Sequence, residues 1–348
     1  MAWSLAHAKL HTLLRQRDLL PPNSRILIAV SGGQDSLCLA RLLIDMQPQW
    51  QWSLAIIHCD HRWREDSGDN AAYVLNLSEA WQVPVHLAVA STALTSEAAA
   101  RKWRYETFAN VAREQGYPYV VTGHTASDRA ETVLYNLIRG TGLDGIGTLS
   151  WQRSIDGSDP CITLVRPLLT FARSETEQVC QQQSIRVWQD SSNQDLRFRR
   201  NRIRQELLPY LREHFNPQVE KALAQTAEIT AADTDYLEAQ ASAIFTQTVT
   251  SKPHHLITIT VSSMPSMASM AWSLDSSAIQ AQPLALQRRV IRQLLQQAMS
   301  QPPSFQHIDK LMAMLNAPHG SLSDPFPGGW IAQVRKPYLW LYPHQKIS

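Results

Sequence analysis

Apolar runs of strand length alternate with helix-length amphipathic segments along the first 140 residues of the chain. Runs at 25–30, 53–58, 84–89 and 119–122, rich in β-branched and aliphatic residues, predict strands. The segments 36–46, 69–81, 96–115 and 127–139 predict helices. Strands separated by helix-length segments build a parallel sheet with helices on both faces, so the expected fold class is α/β, doubly wound. The first strand, Ile26-Leu27-Ile28-Ala29-Val30, is apolar at every position, as burial on both faces requires. Ligands of such sheets bind beyond the carboxyl ends of the strands. Three polar segments fall there: Ser31–Ser36, His58–Arg64 and Gly123–Glu131.

The pattern is less regular elsewhere. Met1 to Leu20 mixes Lys9, Arg15, Arg17 and Asp18 with apolar residues and predicts an amphipathic helix ending at Pro21-Pro22, not a signal peptide. Residues 140–200 hold only a short helix near 172–183, and an arginine-dense helix follows over 200–215, stopped at Asn216-Pro217. A helical segment reaches about 240. The Ser, Thr and Met-rich stretch beyond it reads as a linker with short strands, including Leu256–Val261. Helices at 283–299 and 305–315 with strands at 329–335 and 338–342 suggest a small α+β domain. The expected organisation is a catalytic domain over 1–215, a helical segment and linker over 216–282, and a C-terminal domain over 283–348.

Composition narrows the picture. With 44% hydrophobic and 18% charged residues the chain is an ordinary globular protein, and 348 residues suit about two domains. A net charge of +2 means that any attraction for nucleic acid must come from a local patch. Cys38, Cys59, Cys161 and Cys180 lack CxxC spacing and read as reduced intracellular thiols. No stretch is long and apolar enough to span a membrane, and a cytoplasmic location is expected.

Chemistry concentrates in a few segments. In Ser31-Gly32-Gly33-Gln34-Asp35-Ser36, two glycines turn the chain from the first strand into a helix. That geometry gathers free backbone N–H groups at a helix N-terminus and suits phosphate. It lacks the spacing and the Lys-Ser/Thr ending of the Walker loop, and a plain turn with an N-capping Ser or Asp would use the same residues. Asp35 beside an anion calls for a divalent metal to bridge the two. In Gly123-His124-Thr125-Ala126-Ser127-Asp128-Arg129-Ala130-Glu131-Thr132, Asp128 and Glu131 share one helix face with His124 nearby. Two acids there also simply complement a helix N-terminus. Arg101 and Arg104, one turn apart, converge on one anion or sit on a solvated face. Arg197, Arg199, Arg200, Arg202 and Arg204 put five arginines in eight residues without an acid, which favours RNA or triphosphate contact. Gly140-Thr141-Gly142-Leu143-Asp144-Gly145 fits GxGxxG but follows a helix, so it reads as a loop. His58-Cys59-Asp60-His61 reads as the polar rim of a pocket, since no matching ligand spacing follows for a metal.

The Ser-Gly-Gly-x-Asp-Ser loop resembles the pyrophosphate loop (PP-loop) of the ATP pyrophosphatases, which cleave ATP into AMP and pyrophosphate. Further segments are His-x-x-His-x-x-Arg at 58–64, Ala-Ala-Arg-x-x-Arg-Tyr at 99–105, Gly-His-x-x-x-Asp-x-x-Glu-Thr at 123–132, Arg-Gly-Thr-Gly-Leu at 139–143, Arg-Pro-Leu-Leu at 166–169 and Asn-Arg-Ile-Arg at 201–204. Together, over about 24–215, they resemble the tRNA(Ile)-lysidine synthetases, and 283–342 resembles that family's first C-terminal domain. The additional C-terminal domain of the longest members is not expected at this length. One departure stands at Ser127, where the family often has the first of two adjacent aspartates.

The resemblance implies a Rossmann-like sheet of the adenine nucleotide alpha hydrolase type, and a ligase that uses ATP and Mg2+ to join free L-lysine to the wobble cytidine of tRNA(Ile) with a CAU anticodon. It implies that Ser31, Gly32, Gly33, Gln34, Asp35 and Ser36 hold the nucleotide, with Asp35 on the metal. Arg104 and Arg199 would stabilise phosphate charge, His124 and Asp128 would join the catalytic set, and Glu131 would hold the lysine ammonium. Arg199, Arg200, Arg202 and Arg204 would face the tRNA. A tRNA thiolase using the same adenylation, or a nucleotide-binding protein without turnover, are the alternatives. The missing CxxC argues against the first.

Overall fold

The N-terminal helix α1 (Leu5–Gln16) starts at the N-cap Ser4 and ends sooner than expected. Asp18 and Leu20 take left-handed φ values of 50° and 53°, which break the helix before the prolines. The computed structural model of the chain describes residues 3–62, 66–92, 94, 96–155, 161–188, 195–253 and 270–343. These fall into two units, Met1–Ala231 and Ala232–Ser348. Arg64 and the expected strand Leu256–Val261 lie outside the described residues.

In the first unit strand and helix alternate as the pattern predicts: β1 (Arg25–Ala29), α2 (Gln34–Trp50), β2 (Ser53–Asp60), α3 (Ser67–Trp81), β3 (Val85–Val89), α4 (Glu97–Gln115), β4 (Tyr119–Thr122) and α5 (Ala126–Ile138). A short α6 (Leu143–Ile146), β5 (Gln152–Ser154), β6 (Thr163–Val165) and α7 (Arg173–Gln182) follow. The sheet order is β3-β2-β1-β4-β6-β5; all neighbours are parallel except β5 with β6. β5 and β6 were not expected, because three residues each are too few to show an alternation.

From Ile26 onward strand β1 is apolar because both of its faces are covered there. Ile26 and Ile28 join the core under α1 and α2, and Leu27 joins the opposite core with Ala55, Val120 and Phe108. β1 lies between β2 and β4, so the chain leaves β1 toward one side of the sheet and β4 toward the other. The crevice at that reversal is where open α/β sheets take ligands. The turn after β1 and the segment after β4 flank it.

Beyond α7, the arginine-dense stretch is helical in three consecutive pieces: α8 (Arg199–Arg202), a π-helical turn Ile203–Leu207, and α9 (Leu208–His214). The long helix α10 (Val219–Thr248) comes next. In the second unit, β7 (Val249–Pro253), β8 (Met270–Asp275), β9 (Trp330–Arg335) and β10 (Tyr338–Pro343) form an antiparallel sheet in the order β7-β8-β10-β9. The polar stretch read as a linker thus contributes two of its strands. Helices α11 (Ser276–Gln280), α12 (Leu284–Ala298) and α13 (Phe305–Met314) belong to this unit, and Val290, Ile291, Leu294 and Leu295 of α12 are fully buried. No helix among the described residues is long and apolar enough to cross a membrane.

Gly123 sets the approach of β4 to α2, and Gly32 that of the turn to α3. A Cβ on Gly123 would lie 2.8 Å from the backbone carbonyl of Asp35, and one on Gly32, at φ +86°, would lie 2.2 Å from Asn70 Oδ1. Gly123→Ala is therefore expected to push α2 off β4, costing about 1–3 kcal/mol in a urea unfolding titration. An unchanged midpoint would show that the two elements do not need this contact distance.

Candidate active site

The turn Ser31–Ser36 is held by its own hydroxyls. Ser31 N donates to Ser36 Oγ (3.1 Å), Ser36 Oγ donates to the Gly33 carbonyl (2.9 Å), and Gly33 N donates to Ser31 Oγ (3.3 Å). Gly33 is the N-cap of α2 and provides no side-chain cap. The first-turn amides of Gln34, Asp35 and Ser36 thus keep their hydrogen-bonding capacity for a ligand. Gly32 sits beneath the loop; its carbonyl accepts from Trp188 N (3.0 Å). The other five residues of the turn line a cavity of about 790 Å³.

Helix α7 braces the turn from outside. Gln34 Nε2 donates to the Arg173 carbonyl (2.7 Å) and to Thr176 Oγ1 (2.8 Å). The Thr176 hydroxyl donates to Asp35 Oδ1 (2.5 Å). Burial raises the pKa of Asp35, against the Thr176 hydrogen bond, and the Asp128 charge raises it further. A carboxylate held in this way, with one oxygen used by Thr176, gains from a cation beside it. Its position at the phosphate-suited turn fits a hard divalent ion shared with phosphate oxygens. Among the described residues no group of three or more His, Cys, Asp or Glu side chains converges as a metal site by itself.

The segment after β4 supplies the other wall. His124 lines the cavity, and its Nδ1 lies 2.9 Å from Thr122 Oγ1. Burial lowers its pKa to about 3, with Arg166, Arg101 and Arg104 adding to the effect against Asp128. The imidazole is therefore neutral near pH 7. Asp128 performs both roles its position allows. Its Oδ2 caps α5 by accepting from Thr125 N (2.8 Å) and Thr125 Oγ1 (2.9 Å), while Oδ1 accepts from Arg204 Nη2 (3.3 Å).

Glu131 is not on the cavity wall. It is 5% exposed, and its carboxylate takes Arg204 Nε (2.5 Å) and Nη2 (3.0 Å) in a bidentate pair. Burial raises its pKa although Arg204 opposes the shift. Arg204, read as a tRNA contact, instead lines the cavity and joins both carboxylates. It leaves from the π-helical turn, a helix irregularity that re-aims side chains and recurs at functional sites.

The rest of the arginine run lies away from the cavity lining. Arg197 pairs with Asp195, Arg200 with Glu97 (3.8 Å) and Arg202 with Glu206 (3.4 Å). Arg199 alone of the five has no carboxylate partner among the described residues. The field expected from sequence is thus largely neutralised by acids distant in the chain or just outside the run. Ser127 also points elsewhere: its hydroxyl donates to Glu220 at the start of α10, and Glu220 also pairs with Arg212. An aspartate at 127 would meet Glu220 with like charge.

Several wall residues carried no signal in the sequence. Asn70, Arg173, Glu177 and Trp188 line the cavity from α3, α7 and the irregular stretch after it. Nothing in helical periodicity separates a residue facing a cavity from one facing solvent.

Comparison with known proteins places this architecture. A PP-loop domain family model matches residues 4–211, and a TilS substrate binding domain model matches 274–342. The chain is 51% identical to a tRNA(Ile)-lysidine synthase of Nostoc sp., covering 98% of each chain. It is 46% identical to one of Synechocystis sp., covering 97% of this chain and 98% of the other. It is 35% identical to a chloroplastic tRNA(Ile)-lysidine synthase of Zygnema circumcarinatum, over 87% of this chain and 78% of that one. Among solved structures, a U34-tRNA thiolase from Methanococcus maripaludis with its [4Fe-4S] cluster superposes with a TM-score of 0.55 at 16% identity, covering 65% of this chain and 78% of that chain. That likeness shows the fold alone.

The His124 environment has a readable consequence. Its folded pKa is depressed to about 3 from 6.5, so its share of stability is complete above pH 6.5 and is lost as pH falls toward 3. Between pH 7 and pH 5 the wild-type chain should lose about 1–2 kcal/mol more than His124→Gln in urea unfolding. Equal losses in the two proteins would contradict a neutral imidazole at this site.

Proposed function

The chain belongs to the tRNA(Ile)-lysidine synthase family, and we propose that it joins free L-lysine to carbon 2 of the wobble cytidine in the CAU anticodon of tRNA(Ile). ATP is consumed, with release of AMP and pyrophosphate. The product base, lysidine, pairs with A in place of G, so the tRNA reads AUA as isoleucine. One observation carries the reading: the phosphate-suited turn after β1 and the carboxylate-bearing helix after β4 open into one cavity.

Two displacements share that cavity. In the first, the cytosine O2 attacks the α-phosphorus of ATP and the bond to pyrophosphate breaks. The amides of Gln34, Asp35 and Ser36 and the Ser31 hydroxyl receive the pyrophosphate. Asp35 would hold Mg2+, which supplies charge neutralisation at the leaving phosphates. Arg104, also on the cavity wall, stabilises phosphate charge. In the second displacement the lysine Nζ attacks C2, the C2–O2 bond breaks, and AMP leaves.

Lysine enters as an ammonium with a pKa of about 10.4 and must lose a proton to attack. Asp128 is the carboxylate of α5 on the cavity wall, and we assign it the orientation of that amine and the acceptance of its proton. Glu131 acts through Arg204, holding the guanidinium against Asp128; it is a positioning residue. Neutral His124 adds hydrogen-bonding capacity beside Asp128 without adding charge.

A sulfur-transfer reaction fits this cavity less well. Cys59 and Cys180 line it, but burial raises their thiol pKa values to about 12 and about 11, which suppresses the thiolate. A binder without turnover leaves the Asp128–Arg204–Glu131 arrangement without a purpose. The same reading gives the C-terminal unit a part in tRNA recognition and the protein a cytoplasmic location.

The test supplies ATP, unmodified tRNA(Ile) and labelled lysine. Label should enter the tRNA with one AMP formed for each lysine. Incorporation of sulfur from a donor in place of lysine would establish the thiolase alternative. Asp128→Ala should slow lysine transfer about a hundredfold or more in single turnover. Transfer at the wild-type rate would remove Asp128 from the mechanism.

A further inference from the structure

Four arginines surround one tyrosine on the α4 side of the cavity. The guanidinium carbons of Arg101 and Arg153 each lie 5.3 Å from the ring centroid of Tyr105. Arg166 hydrogen-bonds the Tyr105 side chain, and its Nη1 donates to the Ser150 carbonyl (2.8 Å). Arg104 precedes Tyr105 in the chain, and Arg101, Arg104 and Tyr105 all line the cavity.

The group is short of counter-charge, and only Arg166 within it is buried; Arg101, Arg104 and Tyr105 are half-buried and Arg153 is exposed. Arg166 is 2% exposed. Burial lowers the pKa of Arg104 first of all, and Glu97, the carboxylate that counters it, acts less strongly than Tyr105, Cys59 or Arg101. Among the described residues no carboxylate lies in ion-pair contact with Arg101, Arg104 or Arg166. Half-buried cations without a carboxylate partner gain from an anion that arrives to pair with them. Guanidinium forks match phosphate oxygens two at a time.

The group and the pyrophosphate turn act on different titratable side chains of the one cavity. The charges that act most on Asp35 are Asp128, Arg173 and Arg204. Those that act most on His124 are Asp128 together with Arg166, Arg101 and Arg104. Arg101 and Arg104 thus line the cavity with His124, and their charge acts on His124 while Arg173 and Arg204 act on Asp35. A target base drawn into the cavity brings its own flanking phosphates to the rim, and a base taken out of its stack needs its backbone anchored.

We propose that Arg101, on the cavity wall against the Tyr105 ring that Arg166 braces, forms a second anion subsite that takes a phosphodiester of the RNA strand carrying the target cytidine. This rests on the reading of the chain as a tRNA-modifying ligase. The same chemistry would accept a phosphate of ATP, so the test has an arm for each source.

Full-length wild type, Arg101→Ala and Arg101→Lys are titrated with an anticodon stem-loop RNA of tRNA(Ile) over a KCl series, and separately with ATP. Arg101→Ala should weaken RNA binding roughly tenfold and reduce the slope of log K against log salt by about one. Arg101→Lys should restore the slope, and ATP affinity should stay within about twofold in both variants. Unchanged RNA affinity and slope in Arg101→Ala would overturn the proposal. Loss of ATP affinity with RNA binding intact would assign the subsite to the nucleotide and overturn it equally. Lysine transfer by the wild type is measured alongside: a chain that transfers none defeats the functional reading, while the RNA comparison still decides the subsite.

Discussion

Arg204 allows two carboxylates to sit beside a cavity that is also built for phosphate. Glu131 is buried, Asp128 is partly so, and Asp35 lines the same cavity as Asp128 with its own pKa raised by burial. Three acids in one small volume would repel one another and take up protons. The guanidinium offsets this by pairing with two of them at once. Burial alone would lower the Arg204 pKa, but Glu131, Asp128 and Asp35 outweigh it, so the cation is secure. The amine site, the phosphate site and the start of α5 therefore depend on one side chain from a helix that lies late in the domain.

The fold of the first unit was largely legible, because its information is local. β1 through β4 are apolar runs of clear length, and the helices between them carry ordinary periodicity. The glycines of the turn after β1 marked the site for the same reason: Gly32 takes a positive φ of +86° that other residues adopt only with strain, and it lies close against Asn70. What escaped was either too short or too polar to carry a pattern. β5 and β6 have three residues each, and β7 and β8 lie in a Ser, Thr and Met-rich stretch whose pairing only the sheet reveals.

Charge was the least legible quantity. The arginine run from Arg197 reads as a strong positive field, yet its partners Glu97, Asp128 and Glu131 lie far away in the chain. The cluster around Tyr105 shows the converse. Arg153 and Arg166 fall in an irregular region, where sequence gives no reason to group them with Arg101 and Arg104. Net field depends on which acids the fold brings near. Glu131 shows the same limit: spacing put it on the face of Asp128, but not behind the guanidinium that separates it from the cavity.

The role given to Arg204 is tested most directly by a double-mutant cycle on stability with Glu131, read by urea unfolding near neutral pH. Arg204→Ala leaves a buried carboxylate without its partner and should cost about 2–4 kcal/mol. Adding Glu131→Gln removes the stranded charge, so the double variant should regain at least about 1 kcal/mol over Arg204→Ala alone. Losses that simply add across the two substitutions would contradict the account.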